Sequence, residues 1–187
     1  MTEANYLRNH FLIAMPQLAD PHFSQTVTYI CEHNEDGALG IVINRSLEIE
    51  LGEVLEHMEI KTAAEVNTHR PVLAGGPVQP ERGFVLHRPA GEWISSLAIT
   101  DEISLTTSSD IISAISQGQG PADFLLALGY AGWGAGQLEN EIKQNAWLSG
   151  PADPNIIFAL PLPERLAAAA ALIGVDLDRL SGEAGHA

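Results

Sequence analysis

The first part of the chain alternates apolar and polar residues with the period expected of β-strands. Strands are predicted over three ranges, 11–15, 26–33 and 38–44. The segment from Asn34 to Gly37 ends in Asp-Gly and separates the second and third ranges, which predicts a hairpin. Apolar residues then recur at helical spacing and predict an amphipathic helix over 50–59. The residues that carry this spacing are Leu51, Val54, Leu55 and Met58.

The second part of the chain mixes short apolar runs with helical patterns. Further strands are predicted over 72–74, 83–87, 94–99, 103–106, 124–128 and 156–160. A helix is predicted between a Thr107 cap and Gly118, a second over 137–146, and a third from Pro163 to Gly174. Hairpins followed by interspersed helices and strands indicate an α+β fold. We expect a mostly antiparallel mixed sheet, open or closed into a barrel, with about four surrounding helices.

Composition narrows the class of protein. The chain has 187 residues, 45% of them apolar and 18% charged, which excludes a disordered chain. At about 150 residues per domain, this length predicts a single domain over residues 1–187. The longest apolar run, 166–175, is too short for a membrane crossing, and the N-terminus lacks the pattern of a signal peptide. The only cysteine, Cys31, excludes an internal disulfide and favours a cytoplasmic location.

The charge balance limits the choice of partner. The net charge is −15, with 9 basic against 24 acidic residues. DNA binding draws on clustered Lys and Arg side chains that displace counterions from phosphates. The two lysines, Lys61 and Lys143, are far apart in sequence, and no two basic residues are adjacent. Direct binding of nucleic acid is therefore disfavoured.

The most distinctive stretch is the glycine-rich segment from Gly129 to Gln137. Its spacing does not match the dinucleotide-binding pattern, because Gln137 stands where the last glycine is needed. The phosphate-loop pattern is also absent, because it requires a lysine directly after a glycine and neither lysine of the chain follows one. The glycines either let Trp133 pack against the following helix or bring backbone N–H groups to a ligand. The candidate ligand-binding residues are Asn44, Arg45, Gly75, Gly76, Gly132, Trp133, Gly134 and Gln137.

The predicted hairpin carries a second group of candidate residues. Cys31 is expected to be a buried structural thiol, because free cysteines are among the most buried residues. Glu32 beside it raises the pKa of a thiol, which opposes a role as a nucleophile. His33 lies two residues further along the strand and is expected on the same face as Cys31. The turn that contains Glu32, His33, Glu35 and Asp36 lacks the spacing of known metal sites and is interpreted as a solvated acidic surface, so neither a metal nor a cofactor is predicted. Two further histidines, His57 and His87, are interpreted as surface or boundary residues.

Four passages together resemble the YqgE/AlgH family of bacterial proteins. They are Asn9–Pro16 with Asp20–Phe23, Ile30–Arg45, Gly75–Val78 with Gly83–His87, and Leu128–Leu138. The Gly-Tyr-Ala-Gly-Trp block at 129–133 is especially specific, and the resemblance runs over almost the whole chain. It implies an α+β fold, a bacterial cytosolic setting and an unresolved function. Some relatives bear the name of a transcriptional regulator of alginate synthesis, and the family supplies no catalytic residue.

Three classes of function follow. The favoured one is a non-enzymatic cytosolic regulator or adaptor that binds a protein or a small ligand, with any effect on transcription indirect. An anionic-ligand binder would combine the glycine-rich segment with Arg45, Arg82 or Arg88. An enzyme would draw on Cys31, His33, Asn44 and Arg45. An enzyme needs a pocket with two titratable groups within hydrogen-bond reach, whereas an adaptor needs an exposed apolar patch with few charges.

Overall fold

The structure is a computed structural model that describes residues 6–16 and 23–176. Within those residues it contains ten strands and five helices. The strands are β1 (His10–Ala14), β2 (Val27–Asn34), β3 (Gly37–Val42), β4 (Ser46–Glu50), β5 (Pro71–Ala74), β6 (Val78–Arg88), β7 (Ser96–Ala98), β8 (Ser104–Thr106), β9 (Asp123–Gly134) and β10 (Trp147–Pro151). The helices are α1 (Leu51–His57), α2 (Ser109–Ser116), α3 (Gln137–Lys143), α4 (Pro154–Phe158) and α5 (Leu162–Ile173). Residues 20–22 and 177–187, which belong to the family resemblance, lie outside the described residues.

All ten strands belong to one curled, half-barrel sheet. Its main order is β10-β1-β2-β3-β9-β6-β8-β7, and β4 and β5 join it through the pairing of β5 with β9. That pairing is parallel, whereas the other strand pairs are antiparallel. The predicted α+β fold with a mixed, mostly antiparallel sheet is confirmed.

The predicted hairpin of β2 and β3 is confirmed, but it contains an irregularity. The pairing passes from Ile30 with Gly40 to Glu32 with Leu39, so Cys31 is an extra residue in β2. A bulge of this kind interrupts the strict alternation of side chains between the two faces. It therefore decides on which side of the sheet the residues after Cys31 point.

Strand β9 is much longer than the predicted 124–128. It runs through the glycine-rich block to Gly134 and pairs with both β3 and β6. The glycines at 132 and 134 take ladder positions opposite Leu39 and Gly37. The glycine-rich segment as far as Gly134 thus belongs to a central strand of the sheet.

The prediction of a strand over 156–160 is wrong, because α4 occupies this region. Asp153 precedes the helix, and its side chain accepts a hydrogen bond from the backbone N–H of Asn155 at 2.9 Å. Pro154 follows at the first helical position, which its fixed φ favours. A short apolar run does not distinguish a strand from a buried helix, so the cap decides the structure. The two strands missed were β4 and β10, each five residues long.

Helix α2 has its N-cap one residue later than predicted and ends just before the predicted glycine. The N-cap is Ser108 rather than Thr107, and its hydroxyl donates to Asp110 Oδ1 instead of capping a backbone N–H. Gly118 follows the helix with φ +75°, so the predicted glycine stop is confirmed.

Helices cover both faces of the sheet. On one face, α4 and α5 contribute Ile156, Ile157, Ala169 and Ala170 to the main core. On the other face, α1 and α2 pack over β5, β6 and β9, while α3 packs over β1, β9 and β10. No helix in the described residues is both long enough and apolar enough to cross a membrane.

Candidate functional site

A groove of about 520 Å³ lies between α1 and α2. Strands β6 and β9 form its floor, β4 contributes at one end, and the β8–α2 connection forms one wall. Its lining is predominantly apolar. The apolar side chains that line it are Ile49, Val54, Met58, Val85, Ile112, Leu126 and Leu128.

The groove exists because α1 presents more apolar surface than the sheet covers. Leu51 and Leu55 are buried, whereas Val54 is half-buried and Met58 is 41% exposed. The same helical stripe therefore fills the core with one edge and lines the groove with the other. A flexible methionine at the rim can adapt its shape to different apolar groups.

Gly83 deepens the floor of the groove. A Cβ atom at this position would lie 3.7 Å from Leu126 Cδ1 and 4.0 Å from Leu128 Cδ2, both ordinary contacts. The backbone of Gly83 therefore does not require glycine, and a larger residue would occupy space that the groove now leaves open. This position allows the groove to be filled without disturbing the chain around it.

The charged side chains of the groove are mostly acidic. Glu53 and Glu81 line it and are exposed, as is His57 at the end of α1. Arg82 also borders it, but its Nη1 donates to Gln79 Oε1 at 3.3 Å and its guanidinium lies 5.6 Å from the Phe84 ring centroid. Phe84 belongs to the core on the opposite face, so the charge of Arg82 points away from the floor.

His87, Thr106 and Ser96 form a chain of hydrogen bonds beneath the groove. His87 Nδ1 donates to the carbonyl oxygen of Pro89 at 3.0 Å, so the neutral ring accepts at Nε2 from the Thr106 hydroxyl at 2.7 Å. The Thr106 oxygen in turn accepts from Ser96 at 2.7 Å. Burial lowers the pKa of His87, and the hydrogen bond to Pro89 offsets only part of this effect. The interpretation of His87 as a surface or boundary residue is wrong, because the side chain is fully buried.

The lining of the groove offers mainly apolar surface for contact. Within the described residues, no hydrogen bond or ion pair joins two of its titratable side chains. No cluster of His, Cys, Asp and Glu suited to a metal ion occurs in 6–16 and 23–176 either. An exposed apolar surface with few charges is typical of sites that bind another protein.

Trp133 is 6% exposed and packs against α3, as the packing interpretation expects. Its indole N–H donates to Glu141 Oε1 at 3.0 Å, and Trp147 donates to the same oxygen at 2.9 Å. The side chain of Gln137 accepts from Gly134 N–H and donates to Glu141 Oε2, both at 2.9 Å. These bonds tie the end of β9 to α3.

An open depression of about 600 Å³ lies beside this segment, and Gly132 and Trp133 contribute to its lining. It also contains Glu32 and Asp36 from the hairpin. Two carboxylates repel an anion, so the electrostatics of the depression oppose the anionic ligand that the glycine-rich segment suggested.

Gly75 and Gly76 lie where the backbone after β5 passes close to the backbone of β9. A Cβ at Gly75 would meet the carbonyl oxygen of Gly129, and one at Gly76 would meet the backbone of Tyr130. Gly129 itself has φ +79°, where L side chains are strained. These positions need glycine for packing, whether or not a ligand binds.

Asn44 and Arg45 hold the segment that leads into β2. Asn44 accepts from Val27 N–H at 2.9 Å and donates to the carbonyl oxygen of Gln25 at 3.0 Å, while Arg45 donates to that of Ser24 at 2.8 Å. Arg88, another candidate for an anion, forms an ion pair of 2.8 Å with Asp123.

Cys31 and His33 do not form a catalytic pair. Cys31 is fully buried in the main core, as predicted, and burial raises the pKa of its thiol, to which Glu32 adds. The expectation that His33 lies on the same face of the sheet as Cys31 is wrong, because the bulge in β2 interrupts the alternation of side chains between the two residues. His33 is buried, and its ring accepts a hydrogen bond from Leu7 N–H at 2.9 Å and donates one to Glu139 on α3 at 2.9 Å. The interpretation of His33 as part of a solvated turn is therefore wrong. The hydrogen bond from His33 is the main cause that lowers the pKa of Glu139.

Sequence reasoning did not find the groove, although two signals pointed to it. The helical pattern over 50–59 contains four apolar residues. Leu51 and Leu55 are buried, whereas Val54 and Met58, the residue that caps α1, remain accessible. Gly83 stands within an apolar strand, where glycine is unusual and marks a bulge or a close approach. Neither signal shows by itself that α2 lies across the gap.

Comparison with known proteins places the chain in a family. The AlgH-like family model, DUF179, matches residues 11–178. A UPF0301 protein of Nitrosococcus oceani is 58% identical over 182 residues, which are 97% of both chains. A UPF0301 protein of Thioalkalivibrio sulfidiphilus is 57% identical over the full length of both.

Solved structures agree with this assignment. The solution structure of the AlgH protein from Pseudomonas aeruginosa has a TM-score of 0.81 and 52% identity, and covers 100% of this chain and 99% of that one. A crystal structure of protein DIP2367 from Corynebacterium diphtheriae shares the fold, with a TM-score of 0.77, 18% identity and coverage of 97% and 94%. The resemblance seen in the sequence is confirmed, and the chain belongs to the AlgH-like family.

Proposed function

We propose that this protein is a non-enzymatic regulator or adaptor of the cytoplasm that binds an apolar part of its partner in the α1–α2 groove. The observation that carries the proposal is the apolar lining of a 520 Å³ groove whose titratable groups are not paired for catalysis. Ligand sites commonly have about 300–1,000 Å³ and a mainly apolar lining. With a net charge of −15, any effect on transcription is indirect, through a protein or a small ligand.

The test uses Nile red, an uncharged dye that becomes fluorescent in apolar surroundings. We expect the folded protein to bind the dye and Gly83→Val to weaken binding at least about tenfold, because the added side chain occupies the floor. Gly134→Val is the matched control, since a Cβ there meets only the Gln137 side chain at 3.8 Å. Circular dichroism and thermal unfolding would show that both variants remain folded.

The comparison of the two variants decides whether the groove is the binding site. If Gly83→Val binds the dye as tightly as the wild-type protein and Gly134→Val do, the proposed groove is not the binding site. An equal loss of binding in both variants would also contradict the groove, because Gly134 lies at the end of β9 and outside the groove lining.

A further inference from the structure

We infer that the occupant of the groove is an amphipathic helix of a partner protein, with apolar side chains on one face and basic residues at its flanks. This inference rests on the proposed function and specifies the partner that the groove accepts. It follows from the shape of the groove, from its rim and from the charge of its lining.

The shape favours a helix over a small enclosed ligand. The groove is a trough bordered by α1 and α2, and its edges at Met58 and Ser109 are exposed to solvent. A small ligand is held best when most of its surface is enclosed. A trough that is open along one side suits a helix, which inserts only the residues of one face at i, i+3, i+4 and i+7 spacing.

The charge of the lining specifies the flanks of that helix. Glu53 on α1 and Glu81 on β6 both line the groove and are exposed, and neither forms an ion pair within the described residues. Arg82, which follows Glu81 in sequence, is directed to Gln79 and Phe84. Two carboxylates beside an apolar floor complement a helix with Lys or Arg next to its apolar face.

The charge of the whole molecule acts in the same direction. A net charge of −15 attracts a basic partner before contact and repels an acidic one. Long-range attraction depends on the total charge, whereas selection in the groove depends on Glu53 and Glu81. The two effects can therefore be separated by two variants that change the net charge equally, one within the groove and one outside it.

The experiment measures binding of two fluorescent peptides of about 15 residues. Both carry leucines at i, i+3, i+4 and i+7 spacing; one has lysines at the flanks and the other has glutamates. We expect the lysine peptide to bind the wild-type protein about tenfold more tightly at low salt. Gly83→Val should abolish this binding.

Charge variants separate the groove from the total charge. Glu53→Lys with Glu81→Lys should reverse the preference in favour of the glutamate peptide. Glu48→Lys with Glu56→Lys changes the net charge equally at exposed positions that do not line the groove. This control should retain a preference for the lysine peptide.

Each contrary result identifies what has failed. Equal binding of both peptides, or a reversal by the control variant, would overturn the assignment of the basic flanks to Glu53 and Glu81. If Nile red binds the groove but neither peptide does, the helical partner is wrong while the proposed function stands. If Gly83→Val leaves dye binding unchanged, the proposed function fails and this inference fails with it.

Discussion

Removal of the Glu141 carboxylate tests whether the glycine-rich block is built for packing. Glu141 Oε1 accepts from both Trp133 and Trp147, and Oε2 accepts from Gln137. Both indoles are at least nine-tenths buried, so Glu141→Ala leaves two indole N–H groups without their acceptor. We expect this substitution to destabilise the protein without changing its fold.

The magnitude follows from the two shared bonds. A hydrogen bond to a charged group contributes about 1.5–3 kcal/mol, and both N–H groups lose theirs. Glu141 is only half-buried, so water replaces part of the loss, and the net decrease in unfolding free energy should be about 2–4 kcal/mol. At about 2–4 °C per kcal/mol for a chain of this size, the melting temperature should fall by roughly 10 °C.

The assay is urea unfolding, monitored by circular dichroism, with the slope m expected to remain unchanged. Trp147→Phe removes one indole N–H, and the double variant with Glu141→Ala should show a coupling of about 1 kcal/mol or more. Lys143→Ala, on the exposed end of the same helix, is the control. A loss below about 0.5 kcal/mol for Glu141→Ala, or no coupling, would refute the reasoning.

Three other predictions follow from the same structure. Burial holds the pKa of His87 in the folded state below 6.5, so the unfolded state binds the proton more readily, and the stability should fall as the pH drops from 6.5 through the folded pKa. His87→Gln should flatten this dependence in urea unfolding, and an unchanged dependence in that variant would contradict the reasoning. Cys31 should react with a thiol reagent slowly in the native protein and rapidly in denaturant, and Cys31→Ser should lower the unfolding free energy by about 1–2 kcal/mol; rapid native labelling would contradict its burial. In a mobility-shift titration at physiological salt, duplex DNA should remain unbound below micromolar protein, and tight, salt-dependent retention would show that the charge argument is wrong.

Local patterns predicted most of the elements, because the preferences that form them act over short distances. The period-two pattern located the hairpin of β2 and β3, and helical spacing located α1, α3 and α5 within a few residues of their observed ends. The failures occurred where a local pattern fits two structures. The apolar run at 156–160 suits both a strand and a helix, and the cap by Asp153 decided in favour of α4.

The candidate chemistry was less predictable than the elements. The burial of Cys31 follows from its apolar neighbours in the strand, but the position of His33 depends on one extra residue in the ladder. The sequence marked the segment from Gly129 to Gln137 as unusual without showing its role. In the structure, Trp133 and Gln137 of this segment share the carboxylate of Glu141 as acceptor.

The sequence by itself determined the fold class, the family and the exclusion of an internal disulfide. These depend on composition, periodicity and contiguous motifs, which need no knowledge of distant neighbours. Only the tertiary structure decided that His87 is buried among hydroxyls and that α1 and α2 leave an apolar groove over Gly83. Those features arise from packing between segments far apart in the chain, so their positions depend on how the sheet curls rather than on any local pattern.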